Sequence, residues 1–577
     1  MKNKNWIFTL LTGVILLIPG CSPARKFDQD STMSAFKYRE VYLPEGIGKG
    51  ADALNLNDLD QDWGIWGHNL SLVLPEEPSE SVYAKVNGST LKQQYCFSSP
   101  RLFDYIEEYI VNNYGEKDKA RFAIIPNDND IVCLDAKCVE AGNTPGNASP
   151  AVIALIRKLS ERFPNHVFYT SDYRTTRGLP NDTMPSNSGV MVSAMPYPLT
   201  YAPNEHEAEF LKTLDNWGDK TKRIMVWDYI NNFDDYFTPF PIFGVMQNRF
   251  RNYKNHHVTG VFLNGSGTEA SSLSHLKTIV LAELTANPDT DWRKLLMEKA
   301  TELYPVTGET IANFMLAQED YVRGNGALLP LYEGVPVAIK RYLPEDEFMS
   351  FHDQLIRLSG KTEGHEKEDL DLLLQELALT RLELNRINGN VSNSEPYLAS
   401  LEKLAGSNVG SYNESGWQID RYIEDYRYMI DQWKETGEQN KLKGQRLKAL
   451  TPLDEDYSDI RIITDGLLGI PSNYHNGHLI TSPEKETVIQ VPYTGGSKKL
   501  VVWLSYNTGY KLHLPAEVVL SAEGMSKEIK KPEYPKNHSG HSRLEFDLPS
   551  SVHGDLTLTF KKDPETRSMS IEEIELL

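Results

Sequence analysis

Carboxylate, amide and aromatic side chains collect at the ends of several short β-like runs in the first half of this chain. The densest stretch is VWDYINNFDDYFTPFP, in which Asp228 stands between Trp227 and Tyr229. A pair of carboxylates can cleave a glycosidic bond, because one protonates the leaving oxygen while the other attacks the sugar or activates water. Aromatic rings stack on sugar faces, and Asp, Asn and Arg side chains bind hydroxyl groups. These residue types indicate a carbohydrate site, and no GxSxG, HExxH or Cys–His signature indicates another chemistry.

The predicted catalytic pair is Asp172 and Asp228, with the acid and its partner unassigned. The predicted ligand-binding residues are Trp66, His68, Asn69, Asn127, Asp128, Asp130, Tyr173, Arg174, Tyr229 and Asn264. In a glycosidase we expect two carboxylates to face each other at about 5–5.5 Å for retention or about 6.5–9.5 Å for inversion. If every carboxylate of the site were paired with an arginine, a binding protein would be favoured.

Each of these acidic residues also has a structural interpretation. Asp228 could cap a loop or pair with an arginine, and Asp172 could pair with Arg174. Asp128 and Asp130 lie in an Asn/Asp-rich turn, and these residue types suit turns without any chemistry.

The direction of each side chain at the end of the run Ile224–Trp227 decides which residues reach a ligand. Neighbouring residues of a strand point to opposite faces. We predict that Asp228 and Tyr229 face the pocket and that Trp227 packs outward against helices. A bend of the chain at Asp228 would instead place both Trp227 and Tyr229 in the pocket.

Short β-like runs alternate with helical patterns between residues 36 and about 264, which predicts an α/β fold with parallel strands. The predicted strands are Tyr38–Leu43, Ile65–Leu72, Phe122–Ile125, Val167–Thr170, Val190–Ala194, Ile224–Trp227 and Val258–Leu263. This number of repeats favours a (β/α)₈ barrel, in which the carboxyl ends of the strands form one mouth. No GxGxxG or Walker motif indicates nucleotide binding.

The second half of the chain changes character twice. Apolar residues at three- and four-residue spacing predict a helical region, and the later runs TVIQVPY, KLVVWLSY and RLEFDLP predict an antiparallel β-sandwich. This sandwich resembles the discoidin-like domains appended to bacterial glycosidases. The predicted segments are 1–21 (signal peptide), 22–35 (tether), 36–310 (barrel), 311–450 (helices) and 451–577 (sandwich).

The N-terminal segment is typical of an export signal. Lys2 and Lys4 precede the apolar stretch Trp6–Ile18, and Cys21 follows in a pattern that resembles a bacterial lipobox. We therefore expect an exported protein, lipid-anchored through Cys21 in the outer membrane or periplasm; an ordinary signal peptide is the alternative. The net charge of −21 argues against nucleic acid as a partner.

The remaining cysteines are Cys96, Cys133 and Cys138. We predict a disulfide or free structural thiols, with Cys133 and Cys138 close enough to bond, at Cα atoms within about 7 Å. Three thiols sharing a zinc ion is the alternative. The predicted carbohydrate site contains no metal and no cofactor.

The motifs YREVY, WGIWGHNL, NDND and GVFLNGSG, together with VWDYINNFDDYFTPFP, carry a family resemblance. Residues 36 to about 310 resemble the domain of unknown function 4838, whose members resemble family 20 glycoside hydrolases and occur in exported proteins of gut-type Bacteroidetes. The resemblance implies a glycosidase-like barrel in a glycan-degrading system, although no catalytic residue transfers from it. We therefore predict an exported glycoside hydrolase of a complex glycan. A non-catalytic carbohydrate-binding lipoprotein with a degenerate barrel is the alternative.

Overall fold

The computed structural model describes residues 34–577 apart from 118, 203, 408, 438, 454–456, 482–484, 536–537 and 564–567, and it describes no side chains at 436–437. The predicted signal peptide, including Cys21, and most of the predicted tether lie outside the described residues. Within the described part, no helix combines the length and the apolar character that crossing a bilayer requires.

Short apolar runs form the strands of the first half of the chain. They are β1 (Tyr38–Tyr42), β2 (Trp63–Ile65), β3 (Tyr83–Val86), β4 (Ser89–Tyr95), β5 (Arg121–Ala123), β6 (Val167–Asp172), β7 (Ser188–Ser193), β8 (Ile224–Tyr229) and β9 (Val258–Asn264). Among the described residues, seven strands form one parallel sheet in the order β1-β9-β8-β7-β6-β5-β2, and β3 and β4 form a separate antiparallel hairpin. All seven predicted strands contribute to the parallel sheet. The second was placed too late, because β2 ends at Ile65 and Leu70–Val73 form a 3-10 helix.

The parallel sheet is curled into a half-barrel. Side chains from distant strands meet on its inner face, among them Tyr38, Trp63 and Phe262. The edge strands approach through side chains, since the Trp63 indole donates to the Tyr38 hydroxyl at 3.0 Å and the Glu40 carboxylate accepts from the backbone N–H of Leu59 at 2.8 Å. The described residues contain no strand pairing between β1 and β2, so the sheet has seven strands and an open seam instead of eight strands in a closed ring.

Helices alternate with the strands of the half-barrel, and most of them pack on its outer face, whereas Leu59 of the second helix lies in the inner-face cluster. They are α1 (Lys49–Ala53), α2 (Leu59–Asp62), α3 (Pro100–Tyr114), α4 (Ala136–Ala141), α5 (Ser149–Arg162), α6 (Glu205–Gly218), α7 (Phe243–Asn255) and α8 (Ser274–Ala286). Helix α3 shows why such segments are helical: Pro100 begins it, the Ser99 hydroxyl accepts from Leu102 N, and Leu102, Ile106 and Ile110 are buried on one face.

The next part of the chain is helical, as the sequence indicates. The helices are α9 (Trp292–Leu303), α10 (Gly308–Asn325), α11 (Val335–Arg341), α12 (Glu345–Ser359), α13 (Gly364–Ile387), α14 (Glu395–Ala405) and α15 (Ile419–Gln432). Helices α13, α14 and α15 form a hydrophobic cluster that includes Leu382, Leu401 and Tyr426.

Antiparallel sheets form the C-terminal part. The strands are β10 (Lys448–Ala449), β11 (Leu479–Ile480), β12 (Glu486–Val491), β13 (Lys499–Asn507), β14 (Glu517–Ala522), β15 (Met525–Lys530), β16 (Ser539–Asp547), β17 (Leu556–Lys561) and β18 (Ser570–Leu576). One described sheet has the order β10-β12-β17-β14-β15 and the other β11-β18-β13-β16. The two sheets share a hydrophobic cluster that includes Val518 and Phe560 from the first and Val502 and Ile574 from the second.

The aromatic stretch that follows β8 connects these parts. Phe233, Tyr236 and Phe237 are buried in the same cluster as α13, α15 and Trp503 of β13. A hydrogen bond of 2.9 Å joins the Asp234 carboxylate to Nε2 of the His475 ring. The density of polar and aromatic residues in this stretch is therefore explained first by packing between the half-barrel, the helices and the C-terminal sheets.

Candidate active site

A cavity of about 250 Å³ opens at the carboxyl ends of the parallel strands. We call it the mouth cavity. Its lining residues are Gly67, His68, Ile125, Asp128, Ser171, Tyr173, Met191, Ser193, Met195, Trp227, Tyr229, Asn264, Tyr332 and Glu414. The cavity lies where ligands bind in parallel α/β barrels, and five of the predicted site residues line it: His68, Asp128, Tyr173, Tyr229 and Asn264.

The end of β8 presents aromatic side chains to this cavity and turns its carboxylate away from it. Trp227 and Tyr229 both line the cavity, while Asp228 is completely buried on the opposite face of the sheet. No bend is needed, since residues two apart in a strand share a face. The predicted directions of the Trp227 and Asp228 side chains are therefore wrong, because Trp227 faces the cavity and Asp228 faces the helices.

Asp228 is held by helix α7. Its carboxylate accepts from Arg249 Nη1 at 2.7 Å and from the Tyr253 hydroxyl, and it also accepts from the backbone N–H of Tyr229 at 2.9 Å. Arg249 in turn donates to the carbonyl oxygens of Tyr197 and Pro198. This set of contacts is the buried arginine pair that the sequence leaves open as the alternative, and it places the carboxylate out of reach of a ligand in the mouth cavity.

Asp172 points away from the mouth cavity for the same reason. Its neighbours Ser171 and Tyr173 line the cavity, whereas the Asp172 carboxylate accepts from the Trp217 indole of α6 at 2.5 Å. Burial raises its pKa to about 6, against a lowering by the Trp217 hydrogen bond and by Arg177. The structure thus brings neither member of the predicted catalytic pair into the cavity, and Asp172 does not pair with Arg174.

Arg174 instead clamps the loop that follows β5. Its guanidinium donates to Asp130 at 3.0 and 2.9 Å and to Asp128 at 2.8 Å. Asp128 lines the cavity, while Asp130 is exposed on the rim. Asn127 supports the same loop by donating from its backbone to Gln94 and from its side chain to the Gln93 carbonyl, so its role in the structure is to position the loop.

Of the three predicted residues after β2, one lines the cavity and two do not. The His68 Nδ1 lies 2.6 Å from the Pro126 carbonyl oxygen, which can only accept, so Nδ1 carries the proton and a neutral ring offers Nε2 as an acceptor. Trp66 packs beside Tyr42 at 6.3 Å between ring centroids and does not line the cavity. Asn69 precedes the 3-10 helix Leu70–Val73.

The mouth cavity also contains a carboxylate that sequence reasoning missed. Glu414 lies far along the chain, in the loop before α15, and its Oε2 accepts from the Tyr332 hydroxyl at 3.1 Å. Glu414 keeps part of its surface exposed, but desolvation at the mouth raises its pKa. The hydrogen bond from Tyr332 lowers this pKa, and the negative charges of Asp234 and Asp128 raise it. No local motif marks Glu414, because only the packing of the helical region brings it to the mouth.

The aromatic stretch after β8 supplies that packing through its backbone. The Phe233 carbonyl accepts from Glu414 N at 2.8 Å, and Phe233 N donates to the Leu331 carbonyl at 2.7 Å. The rings of Phe233 and Tyr332 are 5.7 Å apart. The stretch therefore holds Tyr332 and Glu414 at the cavity, which Trp227 and Tyr229 line from the sheet.

Residues 71–315 match the family model described as a domain of unknown function, DUF4838. We call this matching part of the chain the DUF4838 segment. The match confirms the resemblance inferred from the sequence motifs, and it covers β3 to β9 together with the first helices of the helical region. Glu414 and Tyr332 lie beyond the DUF4838 segment, although they complete its cavity. No curated protein matches the chain.

The solved structures similar to this chain include carbohydrate-active proteins. A family GH115 4-O-methyl-α-glucuronidase with specificity for decorated arabinogalactans is 12% identical, with a TM-score of 0.38 and coverage of 87% of this chain and 70% of that chain. A GH138 enzyme targeting pectin rhamnogalacturonan II is 9% identical, with a TM-score of 0.33 and coverage of 94% and 86%. A fucose-binding module of Streptococcus pneumoniae is 15% identical, with a TM-score of 0.18 and coverage of 24% and 96%. At these TM-scores, the likenesses assign neither a substrate nor a mechanism to this chain.

Proposed function

We propose that this chain binds a complex glycan in the mouth cavity and hydrolyses one of its O-glycosidic bonds. The observation that carries the proposal is the composition of the cavity, which combines aromatic rings with two carboxylates, Asp128 and Glu414. Trp227, Tyr229 and Tyr173 offer faces and edges on which sugar rings stack. The polar groups of His68 and Asn264 offer hydrogen bonds to hydroxyl groups.

Glu414 takes the role of the general acid in this proposal. A carboxylic acid must be protonated to donate to the leaving oxygen, and partial desolvation raises the pKa of Glu414 in that direction. Asp128, whose orientation is fixed by Arg174, attacks the anomeric carbon or activates water. This pair replaces Asp172 and Asp228, whose carboxylates lie on the opposite face of the sheet.

A carbohydrate-binding protein without turnover is the second candidate. The ion pair between Arg174 and Asp128 favours it, because it occupies one of the two cavity carboxylates. A panel of plant and host oligosaccharides, assayed for both binding and released sugars, separates the candidates. Binding with product release supports the hydrolase, and binding without it supports the second candidate. A panel in which no glycan binds contradicts both.

Replacing Trp227 by Ala should weaken glycan binding about tenfold or more, because stacking contributes about 0.5–1.5 kcal/mol beyond the area that an aromatic ring buries. Isothermal titration of the best ligand from the panel measures the change. Trp66→Ala is the matched control, since Trp66 is also a partly buried tryptophan of the inner face but does not line the cavity. Equal losses of affinity in the two variants would mean that the mouth cavity is not the sugar site.

We also propose that the protein is exported and held to the cell envelope through lipid on Cys21, on the basis of the N-terminal sequence pattern. Cys21→Ser should then shift most of the protein out of the membrane fraction after cell lysis, because the lipid-carrying thiol is gone. Ser22→Ala serves as the control. Retention of the Cys21→Ser variant in the membrane fraction would contradict the lipid anchor.

A further inference from the structure

Three buried cysteines converge behind the rim of the mouth cavity. Cys96 follows strand β4, Cys133 lies in the loop after β5, and Cys138 is in helix α4. Their Sγ atoms all lie within 4.8 Å of one another, and those of Cys96 and Cys138 are 3.6 Å apart. All three are free thiols, which is one of the two states predicted for them, and no disulfide joins Cys133 to Cys138. Cys96 joins them from a distant part of the sequence.

The spacing of the sulfur atoms matches ligands around one cation. A disulfide places its sulfur atoms at about 2.05 Å. Zinc–sulfur bonds of about 2.3 Å in a tetrahedral centre place neighbouring sulfur atoms at about 3.8 Å. The 3.6 Å between Cys96 and Cys138 is close to the second value, and the third sulfur is near enough for all three to reach one ion with small side-chain rotations.

A backbone N–H group points at the sulfur atom of Cys133. The backbone N–H of Lys85 donates to Cys133 Sγ at 3.4 Å. Metals bind the thiolate form, and backbone N–H groups aimed at sulfur stabilise it.

We propose that Cys96, Cys133 and Cys138 bind one thiophilic divalent cation of the zinc class. Three soft sulfur ligands, with no carboxylate or imidazole in the group, select such a cation over calcium or magnesium. Each thiol that is still protonated releases its proton to solvent when its sulfur binds the ion, and nothing is oxidised or reduced. A water molecule or another small ligand fills the fourth position.

The bound ion would tie together two elements that shape the cavity rim. Gln94, two residues before Cys96, hydrogen-bonds through its side chain to the backbone of Asn127 and to the Asn129 side chain. Asp128 lies between those two asparagines. An ion that joins Cys96 to the segment Cys133–Cys138 would therefore fix both ends of the loop that carries Asp128. The importance of this loop for Asp128 rests on the proposed function, whereas the binding of metal does not.

The test is a titration of the full chain, purified with a reductant that does not chelate metal, first with Co²⁺ and then with Zn²⁺. We expect one equivalent of cobalt to give thiolate-to-metal charge-transfer absorption and the visible bands of a tetrahedral centre. One equivalent of zinc should then displace the cobalt and protect all three thiols from a thiol reagent. Each of Cys96→Ser, Cys133→Ser and Cys138→Ser should lower the zinc affinity at least about 100-fold, since each removes one metal–thiolate bond.

Cys21→Ser is the matched control and should bind zinc like the unaltered chain. The unaltered chain alone decides the proposal if the other three variants do not fold. Three thiols that react freely in excess zinc would overturn it. A disulfide between any two of Cys96, Cys133 and Cys138 in protein purified without reductant, found by mass spectrometry of peptides, would also overturn it. Because none of these readouts uses hydrolysis, an inactive protein that binds zinc would contradict only the proposed function.

Discussion

Glu414→Gln should lower kcat for glycan hydrolysis by about 10²- to 10⁴-fold, the contribution typical of a general acid. The amide keeps the shape of the side chain and can still accept a hydrogen bond from the Tyr332 hydroxyl. It cannot supply a proton to the leaving oxygen, so the loss should fall on kcat and leave the affinity for the intact glycan little changed. Steady-state kinetics and a binding titration on the same glycan measure the two effects separately.

The proposed role of Glu414 also predicts in which direction kcat changes with pH. Glu414 must be protonated to act, so the rate should be highest below its raised pKa and should fall as the pH rises through it. The hydrogen bond from Tyr332 stabilises the carboxylate and so lowers that pKa. Tyr332→Phe should therefore move the alkaline limb of the profile to higher pH without abolishing turnover.

Asp130→Asn is the matched control for the cavity carboxylates. Asp130 pairs with Arg174 as Asp128 does, but it lies on the exposed rim and does not line the cavity. Asp128→Asn should lower kcat strongly, whereas Asp130→Asn should change it little. Glu414 would not be the general acid if Glu414→Gln kept its full turnover. The same conclusion would follow if Tyr332→Phe left the alkaline limb of the pH profile unchanged.

Asp228→Asn should lower the free energy of unfolding by about 3–5 kcal/mol, because it leaves Arg249 buried without its counter-charge. The Tyr253 hydroxyl also loses the carboxylate as the acceptor of its hydrogen bond. Denaturation in urea, followed by tryptophan fluorescence, measures the change. In the fraction that remains folded, kcat should be nearly unchanged, since the side chain does not face the mouth cavity.

An exposed ion pair that includes another arginine of α7 serves as the control. Arg251 of α7 and Asp289, which follows α8, lie 3.0 Å apart with 45% and 66% of their side chains exposed, so Asp289→Asn should cost about 0–1 kcal/mol. Replacing both members of the buried pair, as in Asp228→Leu with Arg249→Met, should recover much of the stability that Asp228→Asn loses. A variant Asp228→Asn that is fully stable but has lost turnover would return Asp228 to the catalytic role that the sequence suggested.

The strands of the sheet were predictable because buried parallel strands appear as nearly continuous apolar runs. The runs at Phe122, Val167, Ile224 and Val258 all lie in observed strands. The same property hides the direction of each side chain, since a strand buried on both faces shows no alternation to set its register. For this reason the sequence could place Asp172 and Asp228 at strand ends but could not show that both face the helices.

The rest of the site depends on contacts between residues far apart in the chain. Glu414 reaches the cavity only because its backbone bonds to Phe233, and Cys96 joins Cys133 and Cys138 only because the hairpin β3–β4 folds over the loop after β5. The open seam between β1 and β2 is also non-local, since it is bridged by Tyr38, Trp63 and Glu40 rather than by a backbone ladder. No periodicity or motif reports such pairings.

The backbone hydrogen bond between Phe233 and Glu414 joins two parts of the chain that can evolve separately, and each part contributes one carboxylate of the proposed pair. The DUF4838 segment contributes most of the cavity lining, including Asp128, whereas the acid arrives from sequence that the family model does not span. Relatives that share this lining but differ after residue 315 would then carry a different acid, or none. Recombination at this junction could convert a hydrolase into a lectin, or change its substrate, without altering a single strand of the sheet.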